Sequence, residues 1–198
     1  MRKSISSLIA LVAIVSFGFT RIGFDVNHEN ELLKMMKNGM AKMHAMKMTH
    51  DPDHDFASMM KVHHQTAIDM SQYELKNGKD GDLKTMAQKM IDDQKKEISE
   101  LDAFLKEHAA AVDNHKFADA MKAIMNSMKM DEKKLTNNYV DRDFAILMKM
   151  HHQQAIDMSK LQLEYGTHQK IKSMATHMIE KQQKEIKELD NWLSLRRN

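Results

Sequence analysis

The sequence contains no cysteine. That removes disulfides, thiolate metal ligands, a thiol nucleophile and a lipid-anchored lipoprotein terminus in one stroke. Proline occurs once and glycine six times in 198 residues. Breaks are therefore scarce, which favours long helices over a many-turned β fold. Neither sign of charge dominates: 30 basic residues face 28 acidic ones for a formal net charge of +2. No basic stripe stands out, so nucleic acid is not an expected partner. No serine sits in a strained glycine-rich turn, and no glycine loop is built to cradle phosphate.

Long apolar runs are missing too, with one exception. Arg2 and Lys3 precede "ISSLIALVAIVSFGF", which is shorter than a membrane span. A basic start followed by a short apolar core has the shape of a secretory signal. Residues 1–22 are expected to be that signal, with cleavage after Gly18, and the remaining chain to work in the periplasm or outside the cell. An uncleaved membrane anchor is the alternative; after cleavage no membrane contact is expected.

What the sequence has in excess is methionine and histidine, 21 and 12 residues. Without thiolate, any soft-metal chemistry must use thioether or imidazole. An internal repeat organises these residues. A shift of 88 positions aligns residues 55–105 with 143–193 without a gap, and more than half of the pairs are identical. His63-His64-Gln65 falls on His151-His152-Gln153, Ala67-Ile68-Asp69-Met70-Ser71 on Ala155-Ile156-Asp157-Met158-Ser159, and Lys96-Glu97-Ile98 on Lys184-Glu185-Ile186. Fainter matches, such as Lys34 with Lys122 and Met40 with Met128, extend upstream. The repeats are placed at 23–110 and 111–198, a visible duplication.

Each repeat reads as three helices. The first, near 29–47 and 115–131, is rich in methionine, lysine and alanine, all good helix formers. The second opens in copy one at "DPDHDF", where Asp51 suits the cap, Pro52 the first turn, and Asp53 and Asp55 the positive end of the dipole. It closes near Gly78, matched by Gly166, as expected of a helix stop. The third spans about 82–107 and 169–195. Apolar stripes of helical period run along the second and third helices, from Phe56 to Leu75 and from Leu83 to Leu105. The expected fold class is all-α: two helical hairpins packed as a four-helix bundle, each preceded by a Met-rich helix.

Polar residues interrupt those stripes. At 100° per residue, His63 and His64 fall on opposite flanks of the apolar face, with Met60 and Ala67 between them. Gln65, Asp69 and Gln72 fall on the solvent side. Gln94 projects near the centre of the third helix's stripe, with Glu97 at its edge. His151, His152, Gln182 and Glu185 repeat the arrangement. Buried groups of this kind need partners. A hydrogen-bonded network and a metal site between facing helices both satisfy that need.

Methionine has the same two readings. Met59, Met60, Met86 and Met90 suit core packing. "MMKNGMAKMHAMKMTH" is different: Met36, Met40 and Met43 keep helical spacing, but Met46 and Met48, with His44 and His50, spread around the helix end. Thioether with imidazole suits Cu(I) or Ag(I). Copy two keeps Met121, Met125, Met128 and Met130 without the histidines, so a site there is expected to be weaker.

At "DFASMMKVHHQTAIDM" and "DFAILMKMHHQQAIDM", followed by "MAQKMIDDQKKEISELDAFL" and "MATHMIEKQQKEIKELDNWL", the chain resembles the DUF305 family of secreted, ferritin-like helical proteins. The resemblance covers about half of the chain, and makes 51–198 one DUF305-like domain. It implies a ferritin-like bundle and, through members linked to copper or silver handling, a metal role. By position it points to His63, His64, His151 and His152, and more loosely to Met60, Met148, Glu97 and Glu185. Together with Met40, Met43, His44, Met46, Met48 and His50, these are the candidate ligands, for Cu(I) or alternatively Ag(I). The expected function is exported, non-enzymatic copper binding for tolerance or delivery, with a periplasmic transfer partner. Two alternatives stand beside it. One is a di-metal redox protein, for which the helices are poor in carboxylate: Glu74 is a candidate, but its counterpart is Gln162. The other is a metal-free bundle whose histidines only hydrogen-bond or sense pH.

Overall fold

The computed structural model describes residues 30–127, 132–136 and 139–196. The expected signal segment and Met128 and Met130 lie outside the described residues. The described chain is all-helical: α1 (Glu31–His44), α2 (Pro52–Asn77), α3 (Gly81–Glu107), α4 (His115–Ser127), a short 3-10 turn at Glu132–Lys134, α5 (Val140–Tyr165) and α6 (Gln169–Leu195). Among the described residues no helix is long and apolar enough to cross a membrane.

The helix starts follow the caps. Asp51 accepts from His54 N at 2.9 Å ahead of Pro52, and Asp80 accepts from Asp82 N and Leu83 N ahead of α3. Such caps satisfy amide groups that the helix itself leaves free. α1 stops at His44, short of the expected 47, because Asp55 captures the next segment: Thr49 N, Thr49 Oγ1 and His50 N all donate to its carboxylate.

Gly78 and Gly166 do end α2 and α5, but for a different reason than expected. Their φ values are −68° and −69°, in the extended region open to any residue. Space is the constraint instead. A Cβ on Gly78 would lie 2.2 Å from Glu74 Oε1, and one on Gly166 would lie 2.1 Å from Gln162 Nε2.

α2 pairs with α3 and α5 with α6 as two long hairpins, and the hairpins meet through α2 and α5. α1 rests on α2 and α5, and α4 on α5 and α1. α2 and α5 run antiparallel, since Phe56, Met59 and Met60 from the start of α2 share one apolar cluster with Ala155, Met158 and Leu161 from the end of α5. The second cluster reverses the pairing: Ala67 and Met70 from late α2 join Phe144, Leu147 and Met148 from early α5. α1 covers this second cluster with Leu32, Leu33 and Met36, and α4 covers the first with Phe117, Met121 and Met125.

Buried carboxylates lock the hairpins together. Asp53 accepts from Gln162 Nε2, Thr167 N, Thr167 Oγ1 and His168 N of the other hairpin. Asp141, its repeat equivalent, accepts from Lys79 N at 2.8 Å and Asp80 N at 2.7 Å. First-turn aspartates are common for dipole reasons; here they also fix where the opposite hairpin turns.

Candidate metal centre

Adjacent residues on a helix point about 100° apart, so two consecutive histidines cannot serve one interface. Each doublet serves two. His63 turns toward α5 and His64 toward α3; His151 turns toward α2 and His152 toward α6. The rings of His63 and His151 stack with centroids 3.5 Å apart, and His151 Nε2 lies 3.0 Å from the His63 carbonyl oxygen. His64 Nε2 is 2.7 Å from Glu97 Oε2, and His152 Nε2 is 3.2 Å from Glu185 Oε2. The His64 contact is the closer of the two. All four imidazoles are buried.

These groups form a polar layer between the two apolar clusters. Gln94 and Gln182 are buried in the same stretches of α3 and α6. The Nδ1 atoms of His64, His151 and His152 have no protein hydrogen-bond partner, and the buried His63 ring has only Gln154 near its nitrogens. Gln154 is buried beside His63. Burial, then the neighbouring imidazoles, holds His63 and His151 well below the ordinary histidine range. Burial, with His64 and Lys181 nearby, brings His152 down to about 3. Neutral imidazoles with unshared lone pairs are the form that ligates a metal.

The two carboxylates are not equivalent. Burial works to raise Glu97, but hydrogen bonds from His64 and from Lys181 bring it down to about 2. Lys181 Nζ stands 2.9 Å from Glu97 Oε1 and 3.1 Å from Asp93 Oδ2. Burial outweighs the more distant charges of Lys181 and Lys89, the latter 3.9 Å away, and pushes Glu185 up to about 7. The 88-residue shift puts Asp93 where the other repeat has Lys181, and Lys89 where it has His177. Sequence reasoning missed this asymmetry because Asp93 and Lys181 read as solvated charges. Their opposite signs at equivalent positions were the available signal.

The remaining candidates lie elsewhere. Met60 and Met148 are fully buried one turn before each doublet, in opposite apolar clusters. Met43 is buried, and Met40, Met46 and Met48 pack half-buried on the first cluster, while His44 is exposed. His50 leaves the methionines and sits with Asp113 and His115. Glu74 does not approach the histidines. It lies ten residues, roughly 15 Å of helix rise, from His64, against Asp141. A groove of about 370 Å³ between α3 and α6 reaches Glu97 at the edge of this layer, lined also by Glu100, Met174, His177, Met178 and Lys181 among others.

The family described as "Domain of unknown function (DUF305)" matches residues 24–105 and, overlapping, 53–193. Among solved structures, CopM in its Ag-bound form is similar, with 26% identity and a TM-score of 0.58, over 74% of this chain and 98% of that one. CopM in its Cu(I)-bound form gives 27% identity and a TM-score of 0.56, over 72% and 95%. A DUF305 protein from Streptomyces coelicolor shares the fold at 24% identity and a TM-score of 0.60, over 75% and 96%. A comparison with curated protein sequences gives no match.

Proposed function

The chain belongs to the DUF305 family, and from that premise we propose that it is an exported copper-binding protein without catalytic activity. Its two hairpins make a ferritin-like four-helix bundle. His63, His64, His151 and His152 bind Cu(I), or Ag(I), in its central layer, with Glu97 and Glu185 on the flanks and Met60 and Met148 adjoining. Met40, Met43, Met46 and Met48 with His44 give a second thioether-rich surface for loading or transfer to a partner. The protein then serves copper tolerance or delivery in the periplasm.

One observation carries this reading: four imidazoles are buried together, and three of them retain an Nδ1 with no protein partner. Imidazole and thioether are the donors a thiol-free protein can offer a soft monovalent ion. The likeness to CopM, whose solved forms include Cu(I)- and Ag-bound ones, supports the same chemistry. Titration with Cu(I) against a competing chelator tests it, on the wild type and on a His63→Ala/His64→Ala variant. Submicromolar binding that the variant weakens at least tenfold is expected. Binding that is micromolar or weaker and insensitive to the substitutions overturns it.

The close approaches of His64 to Glu97 and of His152 to Glu185 favour one other reading, a metal-free polar layer that fixes helix register. That reading requires stability to be unchanged by copper.

A further inference from the structure

We propose that His50, Asp113 and His115 form a separate cation site, outside the duplicated hairpins, for a borderline divalent ion of the Zn2+ class. It does not rest on the Cu(I) reading, because its donors are two imidazoles and a carboxylate with no thioether. Such nitrogen and oxygen donors suit Zn2+ or Cu2+ rather than a soft monovalent ion.

The three side chains come from two segments distant in sequence, the α1–α2 loop and the start of α4. Their ligand atoms all lie within 4.8 Å of one another. Asp113 Oδ1 is 3.0 Å from His50 Nδ1 and 3.4 Å from His115 Nε2. In a tetrahedral zinc site with bonds of about 2.0–2.1 Å, neighbouring donors stand ~3.3 Å apart, the edge of the tetrahedron. The rings of His50 and His115 are 4.1 Å apart and inclined at 54°, so they converge on one side without stacking flat. Three protein donors leave a fourth position for water, since Asp113 and His115 are largely exposed.

The convergence is built by the frame beneath it. His50 has φ of 68°, the one non-glycine residue with positive φ among those described. That left-handed conformation disfavours a side chain and persists only when its surroundings hold it. Here Asp55 takes His50 N at 2.8 Å, and Asn114 N donates to the His50 carbonyl at 2.8 Å. Buried Asp51 meanwhile accepts from Ala111 N and Val112 N, pinning the segment that leads into Asp113. Asn114 Oδ1 caps α4 through Phe117 N. Two loops are thus stitched together at backbone level, and the product of that stitching is a His-Asp-His triangle at the surface.

Calorimetric titration of the full chain with Zn2+ tests the site, alongside His115→Ala and Asp113→Asn. Both side chains are about two-thirds exposed or more, at 68% and 71%, so neither change threatens folding. His177→Ala, another exposed histidine, is the control. The expected result is that each site variant loses one Zn2+ equivalent, or weakens it by more than the roughly 10- to 100-fold typical of losing an outer-sphere partner, while His177→Ala leaves it intact. No Zn2+ binding by the wild type, or equal stoichiometry and affinity in both site variants, overturns the proposal. Failure of Cu(I) binding at His63 and His64 is a separate result and leaves this titration unaffected.

Discussion

His63 and His151, 88 positions apart, stack their rings face to face with centroids 3.5 Å apart. Equivalent residues of two repeats can touch each other only where the axis relating the repeats passes between them. The polar layer is therefore centred on the internal symmetry, and the duplication brings its own copies into contact there.

Replacing His151 with Phe separates the two readings of that layer. A stacked ring is kept, but it is larger and loses the contact to the His63 carbonyl, so metal-free stability should fall by about 1–3 kcal/mol. Cu(I) affinity, measured by chelator competition, should fall at least tenfold. Retained affinity with a large loss of stability in urea denaturation would assign His151 to the hydrogen-bonded framework instead.

Glu74 supplies a pH dependence. Burial, and then Asp141 opposite, pushes it up to about 8 from an ordinary 4.5. The folded chain thus keeps a proton that the unfolded chain releases above 4.5. The associated stability is fully present below 4.5 and is lost as pH rises through 8. Gln162 occupies the same place in the other repeat and donates Nε2 to Asp53, as a neutral carboxyl would. Glu74→Gln should flatten the decline and stabilise the protein at pH 8 to 9 by roughly 1–3 kcal/mol. Thermal melts across pH 5 to 9 measure it; parallel wild-type and variant curves would refute it.

Lys181 sets the acid limb. Glu97, held down at about 2, contributes stability above its ordinary 4.5 that is lost as pH falls toward 2. Lys181→Met removes one of its two hydrogen-bonding partners. The variant should be less stable by roughly 1.5–3 kcal/mol at pH 5 to 7, with the gap closing toward pH 2. Carbon-13 NMR of the carboxyl groups should show Glu97 titrating at higher pH than in the wild type.

Gly39 lets α1 dock. A Cβ there would come within 2.0 Å of Thr66 Oγ1 and 2.9 Å of Thr66 Cβ. Gly39→Ala is favourable for an isolated helix, yet should destabilise the protein by about 1–3 kcal/mol through overpacking. Thr66→Ala should recover only part of this, because the Cβ contact remains. A stabilised Gly39→Ala variant in chemical denaturation would show that α1 is loosely held.

Much of this was legible beforehand. The 88-residue shift and the helical period of the apolar residues marked six helices, and the Asp51-Pro52 start of α2 marked its cap. Those features are local or repeated, so one chain carries enough information to read them. The buried histidines and Glu185, with half-buried Glu97, were legible as well, because a polar residue on an apolar stripe has nowhere else to go. Glu74 shows where such reading stops. It looked like a spare carboxylate for the centre, yet it meets Asp141 where α2 ends and α5 begins.

Sequence by itself determined the helices, their duplication, and that the paired histidines, Gln94, Gln182 and Glu185 lie inside. All of these follow from periodicity and composition. Tertiary structure alone decided that His63 meets His151 rather than His152, that Lys181 favours Glu97 over Glu185, and that His50 leaves the methionines for Asp113 and His115. Each depends on the register between segments far apart in the chain. That register is set by buried aspartates gripping backbone amides of distant loops, a contact that no helical period encodes.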